Sequence, residues 1–182
     1  MDEPSARLIN IFGALSQAVS DRVRMAIAEA FNAGGETAAA LIAIGHAPGM
    51  SIGKVRQTLR LSHAGAVRVV ERLGDQGLVA KSTSPSDRRV VHVSLTSLGQ
   101  VERTKLLGLR NAAVAELLSK VSADDWVALE RAADTILSSL FSDPQGGLAT
   151  CRLCDQAAAR IAQSTDIIRD FVEIIRLLRN SR

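Results

Sequence analysis

The stretch Leu61 to Thr96, LSHAGAVRVVERLGDQGLVAKSTSPSDRRVVHVSLT, constrains this chain more than any other. It reads as one helix followed by one β-hairpin. Ser62 is a good N-cap, because its hydroxyl oxygen can accept from the free amides of a first helical turn. Wound at about 100° per residue, the helix puts Ala66, Val67, Val70 and Leu73 on one face and Gly65, Arg68 and Arg72 on the opposite one. Gly77 ends it, where a left-handed residue is cheapest for glycine. Two β-rich runs follow, 78–83 and 90–95, and the second alternates Val91, Val93 and Leu95 with His92 and Ser94. Between them, Ser84-Pro85-Ser86-Asp87-Arg88-Arg89 combines turn formers with two cations. A helix with arginines on its free face, beside a hairpin tipped with arginines, suits a DNA groove and the neighbouring phosphate backbone.

The expected fold is therefore mainly α with a small β-hairpin, a winged helix-turn-helix. The stretch resembles the multiple antibiotic resistance regulator (MarR) family of bacterial transcription factors. The wing pattern of that family, Asp-x-Arg, five residues and Leu-Thr, is met by Asp87, Arg89, Leu95 and Thr96, and Gly99 completes Leu-Thr-x-x-Gly. Ser62 to Leu73, followed by Gly77-Leu78-Val79, matches the recognition helix and its exit into the wing. The resemblance covers roughly residues 8–140; the last forty residues are not typical of the family. It implies a homodimer formed by long terminal helices, 6–33 and 97–141, around a winged DNA-binding domain, 36–96. It also implies a transcriptional regulator, commonly a repressor, that leaves its operator when a small, often aromatic or phenolic, effector enters the cleft between the two parts. Two recognition helices in successive major grooves lie about 34 Å apart, so half-sites should be roughly 10 base pairs centre to centre.

Charge follows the same division. Residues 51–99 hold eight Lys/Arg against three acids, a net +5, whereas the rest of the chain has fourteen bases against sixteen acids, a net −2. Positive charge concentrated in the winged segment is what phosphate binding requires. With 182 residues, 47% of them apolar, the chain can bury a sizeable core, and few aromatics with no Tyr favour helix packing. Met-Asp-Glu lacks a basic start and an apolar run, so no signal peptide is expected. The uncharged run 37–53, broken by Pro48 and three glycines, is too short for a bilayer. A soluble cytoplasmic protein without a membrane partner is the expectation.

Taken in order, 6–31 reads as a long helix with Leu8, Ile11, Phe12, Leu15, Val19, Val23 and Ile27 repeating at three and four. Residues 37–44 form a short apolar helix at the centre of the domain, and Pro48-Gly49 a turn. Ser51 caps a helix over 52–59, the first of the helix-turn-helix. After the wing, Thr96 caps a helix to about Lys120, and Ser122 with Asp125 opens another to about Leu140. Asp143-Pro144-Gln145-Gly146-Gly147 is a linker. Beyond it, 148–182 reads as a helical extension whose Ile161, Ile168 and Ile175, seven apart, form a seam for a partner helix or for its own subunit; the family resemblance, with dimers formed from terminal helices, favours a dimer-stabilising role.

The candidate DNA-binding residues are Ser51, Ser62, His63, Gly65, Arg68, Arg72, Arg88 and Arg89. Arginine offers a planar fork for guanine O6 and N7 or for phosphate, and Arg68 and Arg72 are one turn apart. The alternative is that both are solvated charges paired with Glu71 and Asp75. Gly65 costs a helix about 1 kcal/mol relative to Ala, and close approach to DNA would justify it. The helix starts at Ser51 and Ser62 offer free amides to phosphate, and each serine is equally a plain N-cap. His63 can hydrogen-bond DNA. The family resemblance assigns Arg89 to a narrow minor groove and Asp87 to bracing the wing, leaving Arg88 for phosphate.

Cys151-Arg152-Leu153-Cys154 supports three readings. It is half of a tetrahedral zinc site completed by a second subunit, a redox-active pair, or two small buried residues. The metal- or redox-responsive regulator, and a winged module that binds only protein, stand as alternatives to the ligand-released DNA-binding regulator. No catalytic constellation is visible, so no enzyme and no cofactor are expected, zinc aside.

Overall fold

The computed structural model describes residues 3–31, 34–83, 90–140, 149 and 152–154. The elements run α1 (Ala6–Ala30), α2 (Gly35–His46), β1 (Met50–Ser51), α3 (Ile52–Leu59), α4 (His63–Asp75), β2 (Val79–Thr83), β3 (Val91–Leu95), α5 (Ser97–Leu118) and α6 (Ala123–Leu140). The mainly helical, winged architecture agrees with the sequence.

The core is built on α2. Every residue from Thr37 to Ile44 is buried, and Leu41, Ile42 and Ile44 have no exposed surface. A helix apolar all round is stable only when other elements cover every side. The coverings are Val23, Ile27 and Phe31 at the end of α1, Val55 of α3, the buried face of α4, Val93 of β3, and Leu106 and Leu107 of α5. Each large aliphatic side chain so buried contributes about 1.5–3 kcal/mol.

The hairpin is larger than the sequence indicated. Strands β2 and β3 pair antiparallel with Val79 opposite Leu95 and Thr83 opposite Val91, and β1 adds a third strand, in the order β1-β3-β2. Met50 faces Val93 and Ser51 faces His92. His92 Nδ1 lies 2.8 Å from the Gly49 carbonyl, to which it donates, and the Gly49 amide donates to Ser94 Oγ at 3.0 Å. The two polar residues of the strand therefore fasten the turn ahead of β1.

Outside this core, apolar surface is left uncovered. Leu8, Ile11, Phe12 and Leu15 in the first half of α1 are about half exposed, and α6 has no buried residue at all. The second half of α1 is fixed to α5, where Arg22 donates to Glu116 at 2.6 Å. The pairing raises the guanidinium of Arg22 and lowers the carboxyl of Glu116 from their ordinary values. At the start of α6 the Ser122 hydroxyl donates to the Asp125 carboxylate at 2.6 Å, while the Asp125 amide donates to the Ser122 carbonyl at 3.1 Å. Among the described residues, no helix is long and apolar enough to cross a membrane.

Candidate nucleic-acid interface

Helix α4 is amphipathic and closed at both ends by its own sequence. Ser62 Oγ accepts from the Gly65 amide at 3.0 Å, the N-cap its residue type favours. Ala66, Val69, Val70 and Leu73 are buried, with Val69 taking the place expected for Val67, which is only half-buried. At the far end Gly77, at φ 69°, donates to the Gly74 carbonyl while Leu78 donates to that of Leu73, the paired bonds of a Schellman motif. Leu73 and Leu78 are both buried there, which gives the motif its apolar contact.

The opposite face holds the candidate contacts, and it divides them. His63 and Arg68 are exposed, and among the described residues neither has a hydrogen bond or ion pair. Arg68 is thus not paired with Glu71. Arg72 is also exposed, but its Nη1 donates at 3.1 Å to Oγ1 of Thr37, a fully buried threonine of α2. Arg72 therefore anchors α4 to the central helix as well as presenting charge. At Gly65 a Cβ would sit 3.2 Å from Ser62 Oγ and crowd the capping hydroxyl, a reason for glycine within the chain itself. Ser51, half-buried in β1, accepts from the Lys54 amide at 3.2 Å and caps α3. Asp87, Arg88 and Arg89 lie outside the described residues.

Two cations missed by the sequence reading lie next to this face. Arg56 and Arg60, four apart, are exposed on α3 and at its end, two residues before the Ser62 cap. Their i, i+4 spacing was the available signal. Lys81 of β2 is exposed too, its stem running beside Gly74 near the end of α4.

Behind the interface, the Leu-Thr-x-x-Gly segment joins the wing to α5. Thr96 Oγ1 donates to the Gly77 carbonyl at 2.7 Å and accepts from the Gly99 amide at 3.0 Å, while the Thr96 amide donates to Leu78 O at 3.0 Å. A side chain at Gly99 would run into the Leu78 backbone, its Cβ 3.0 Å from the carbonyl carbon and closer still to the oxygen. So one threonine closes the α4 exit and opens α5, and one glycine allows them to touch. A second joint lies deeper. Arg103 of α5 donates from Nη2 to His46 Nδ1 at 2.9 Å and from Nε to Ile42 O at 3.4 Å. It crosses α2 at Gly45, where a Cβ would strike its side chain and lie 2.9 Å from Leu95 Cδ1. A cation at the C-terminal end of α2 also complements the helix dipole.

Of the cysteine pair, Cys151 and the seam residues Ile161, Ile168 and Ile175 lie outside the described residues, and Cys154 is a half-buried thiol. Among the described residues, no three His, Cys, Asp or Glu side chains cluster as metal ligands do.

Residues 35–90 match the family model described as MarR family. The comparison with curated proteins found no match. Among solved structures, the wild-type MarR of E. coli in its apo form is similar with a TM-score of 0.63 at 22% identity, over 75% of this chain and 98% of that one. The YusO protein of Bacillus subtilis is similar with a TM-score of 0.62 at 17% identity, over 75% and 99% of the two chains. Streptococcus pneumoniae FabT in complex with DNA gives a TM-score of 0.58 at 19% identity, over 72% and 95%. At these identities the structural likeness establishes the fold, and the family model covers the segment that holds α2, both helices of the helix-turn-helix and β2.

Proposed function

We propose that this chain, whose residues 35–90 match the MarR family model, is a sequence-specific DNA-binding transcriptional regulator of that family working as a homodimer. The observation that carries the proposal is the free face of α4. His63 and Arg68 stand exposed and unpaired among the described residues, on a helix whose other face is fixed in the core. A recognition helix enters the major groove with its N-terminal residues toward the base edges, and Arg68 then meets guanine O6 and N7. Ser51 and Ser62, at the starts of α3 and α4, bring free amides to the phosphates on either side. In the wing, Arg89 enters the minor groove, Asp87 braces it and Arg88 touches phosphate. The structurally similar FabT, solved in complex with DNA, supports the same use of this fold.

The second copy covers the apolar surface the single chain leaves open. Leu8, Ile11, Phe12 and Leu15 of α1, with Trp126, Leu129, Ile136, Leu137 and Leu140 of α6, are between about a third and two thirds exposed. Such stripes on two long helices suit burial against their symmetry mates. The regulator represses, and a small effector in the cleft between dimer helices and winged domain releases it, the joint at Arg103 and Gly45 being where such a ligand would be felt. It binds and does not catalyse.

Selection of bound sequences from a random duplex pool tests the proposal. The enriched site should be a pseudo-palindrome with half-sites roughly 10 base pairs apart. A pool that yields no enriched sequence, with no steep salt dependence of binding, would leave a protein-contact module instead.

A further inference from the structure

Arg60 is the one non-glycine residue with positive φ among the described residues, at φ 54° and ψ 39°. The other three such positions, Gly34, Gly49 and Gly77, are glycines, which adopt this region without a Cβ penalty. Here the left-handed turn lies between the two helices of the helix-turn-helix. Leu61 N donates to Arg56 O at 3.0 Å and Arg60 N to Gln57 O at 3.3 Å, so the last carbonyls of α3 are capped by backbone. The backbone geometry of the turn is one that glycine supplies most cheaply. The guanidinium is exposed, and among the described residues it has no hydrogen bond or ion pair.

We propose that Arg60 is a phosphate contact of the helix-turn-helix, gripping the DNA backbone at the edge of the groove that α4 enters. The first helix of such a motif crosses the backbone and the second lies in the groove. Arg60 stands two residues before the Ser62 cap, at the point where the chain passes from one to the other. A side chain rooted there reaches the phosphate strand rather than the base edges. Arg56, four residues earlier and also exposed, adds a second cation to the same segment. Arginine suits the task, since its fork can take two oxygens of one phosphate. The contact positions the protein and reads no sequence. It rests on the DNA-binding reading above and adds a residue that reading does not include.

The test uses the full chain with Arg60→Gly, Arg60→Lys and, as reference, Arg68→Ala, each titrated with salt on the selected operator and on unrelated duplex. Loss of one phosphate contact per subunit should flatten the log–log salt slope by about 0.9 for each subunit bound, and weaken binding roughly eightfold per contact at 0.1 M salt. Arg60→Gly should do this equally on operator and unrelated DNA, with the preferred sequence unchanged. Its melting temperature should stay level or rise by up to about 4 °C, because the left-handed strain is relieved. Arg60→Lys, which keeps the charge, should keep the slope. The inference is overturned if Arg60→Gly binds like wild type while Arg68→Ala does not, and this leaves the DNA-binding reading intact. It is overturned equally if Arg60→Lys flattens the salt slope as much as Arg60→Gly does, since a cation at this position would then not be what neutralises the phosphate. Absence of steep salt-dependent DNA binding by wild type would reject both.

Discussion

Gly99→Ala adds one methyl group at the point where α5 meets the start of the wing, and the structure leaves it no room. The new Cβ would stand 3.0 Å from the carbonyl carbon of Leu78 and nearer to its oxygen. Leu78 cannot retreat freely. Its amide closes the exit of α4 on Leu73 O at 2.9 Å, and its carbonyl accepts from Thr96 N at 3.0 Å. Relief therefore means overpacking strain, typically 1–3 kcal/mol, together with loss of a backbone hydrogen bond whose groups are partly buried, about 1–3 kcal/mol. Alanine returns about 1 kcal/mol as the better helix former. The net loss is roughly 3 kcal/mol, and for a chain of this length each kcal/mol lowers the melting temperature by about 2–4 °C. Gly108→Ala is the control in the same helix, because nothing lies within 4 Å of the Cβ it would add. That variant should gain about 0.5–1 kcal/mol. Thermal unfolding followed by circular dichroism should show Gly99→Ala lower by roughly 6–12 °C and Gly108→Ala level or higher. If Gly99→Ala melts at or above wild type, the account of the wing–helix joint is wrong.

Leu73 is fully buried beneath α4, so Leu73→Ala should cost about 2–5 kcal/mol in urea unfolding; a cost below 1 would mean the helix is not seated as described. Arg72→Ala removes a donor to the buried Thr37 hydroxyl and should destabilise by about 1 kcal/mol, whereas Arg68→Ala should leave stability unchanged. Equal effects of the two on unfolding would remove the distinction drawn between them. Glu116 has its pKa lowered by the hydrogen bond and charge of Arg22. The pair therefore favours the folded state above the ordinary carboxylate range, and that contribution is lost as pH falls through and below about 4. Glu116→Gln should flatten this part of the acid side of the stability profile, and an unchanged acid limb would show that the pair is immaterial.

Local chemistry made much of the fold legible in the sequence. Ser51 and Ser62 start α3 and α4 as their residue types require, and Gly77 turns out of α4 with positive φ. The alanine-rich run after Gly35 is buried because nothing on it needs water. What escaped depends on contacts distant in sequence. Strand β1 is two residues long, too short for alternation to show, and exists because His92 and Ser94 hold Gly49. Arg72 lies at the margin of the α4 apolar stripe beside Val69, near enough to α2 to bond Thr37, which helical spacing alone does not reveal. Arg60 owes its interest to a backbone angle set by the turn between two helices, and no residue pattern announces that. Gly99 was recognised as part of a motif, but its reason, the Leu78 carbonyl, emerged only from the packing.

The central claim is that the free face of α4 reads base edges, and Arg68 tests it most directly. Affinity of wild type and Arg68→Ala should be measured across a salt series on the selected operator and on single-base variants of it. Loss of a bidentate contact in the major groove should cost about 1–3 kcal/mol on the best site and relax preference at one or two base pairs per half-site. The melting temperature should hold, because the side chain is exposed and, among the described residues, unpaired. A folded dimeric Arg68→Ala that binds the operator and all its variants as wild type does would contradict the account.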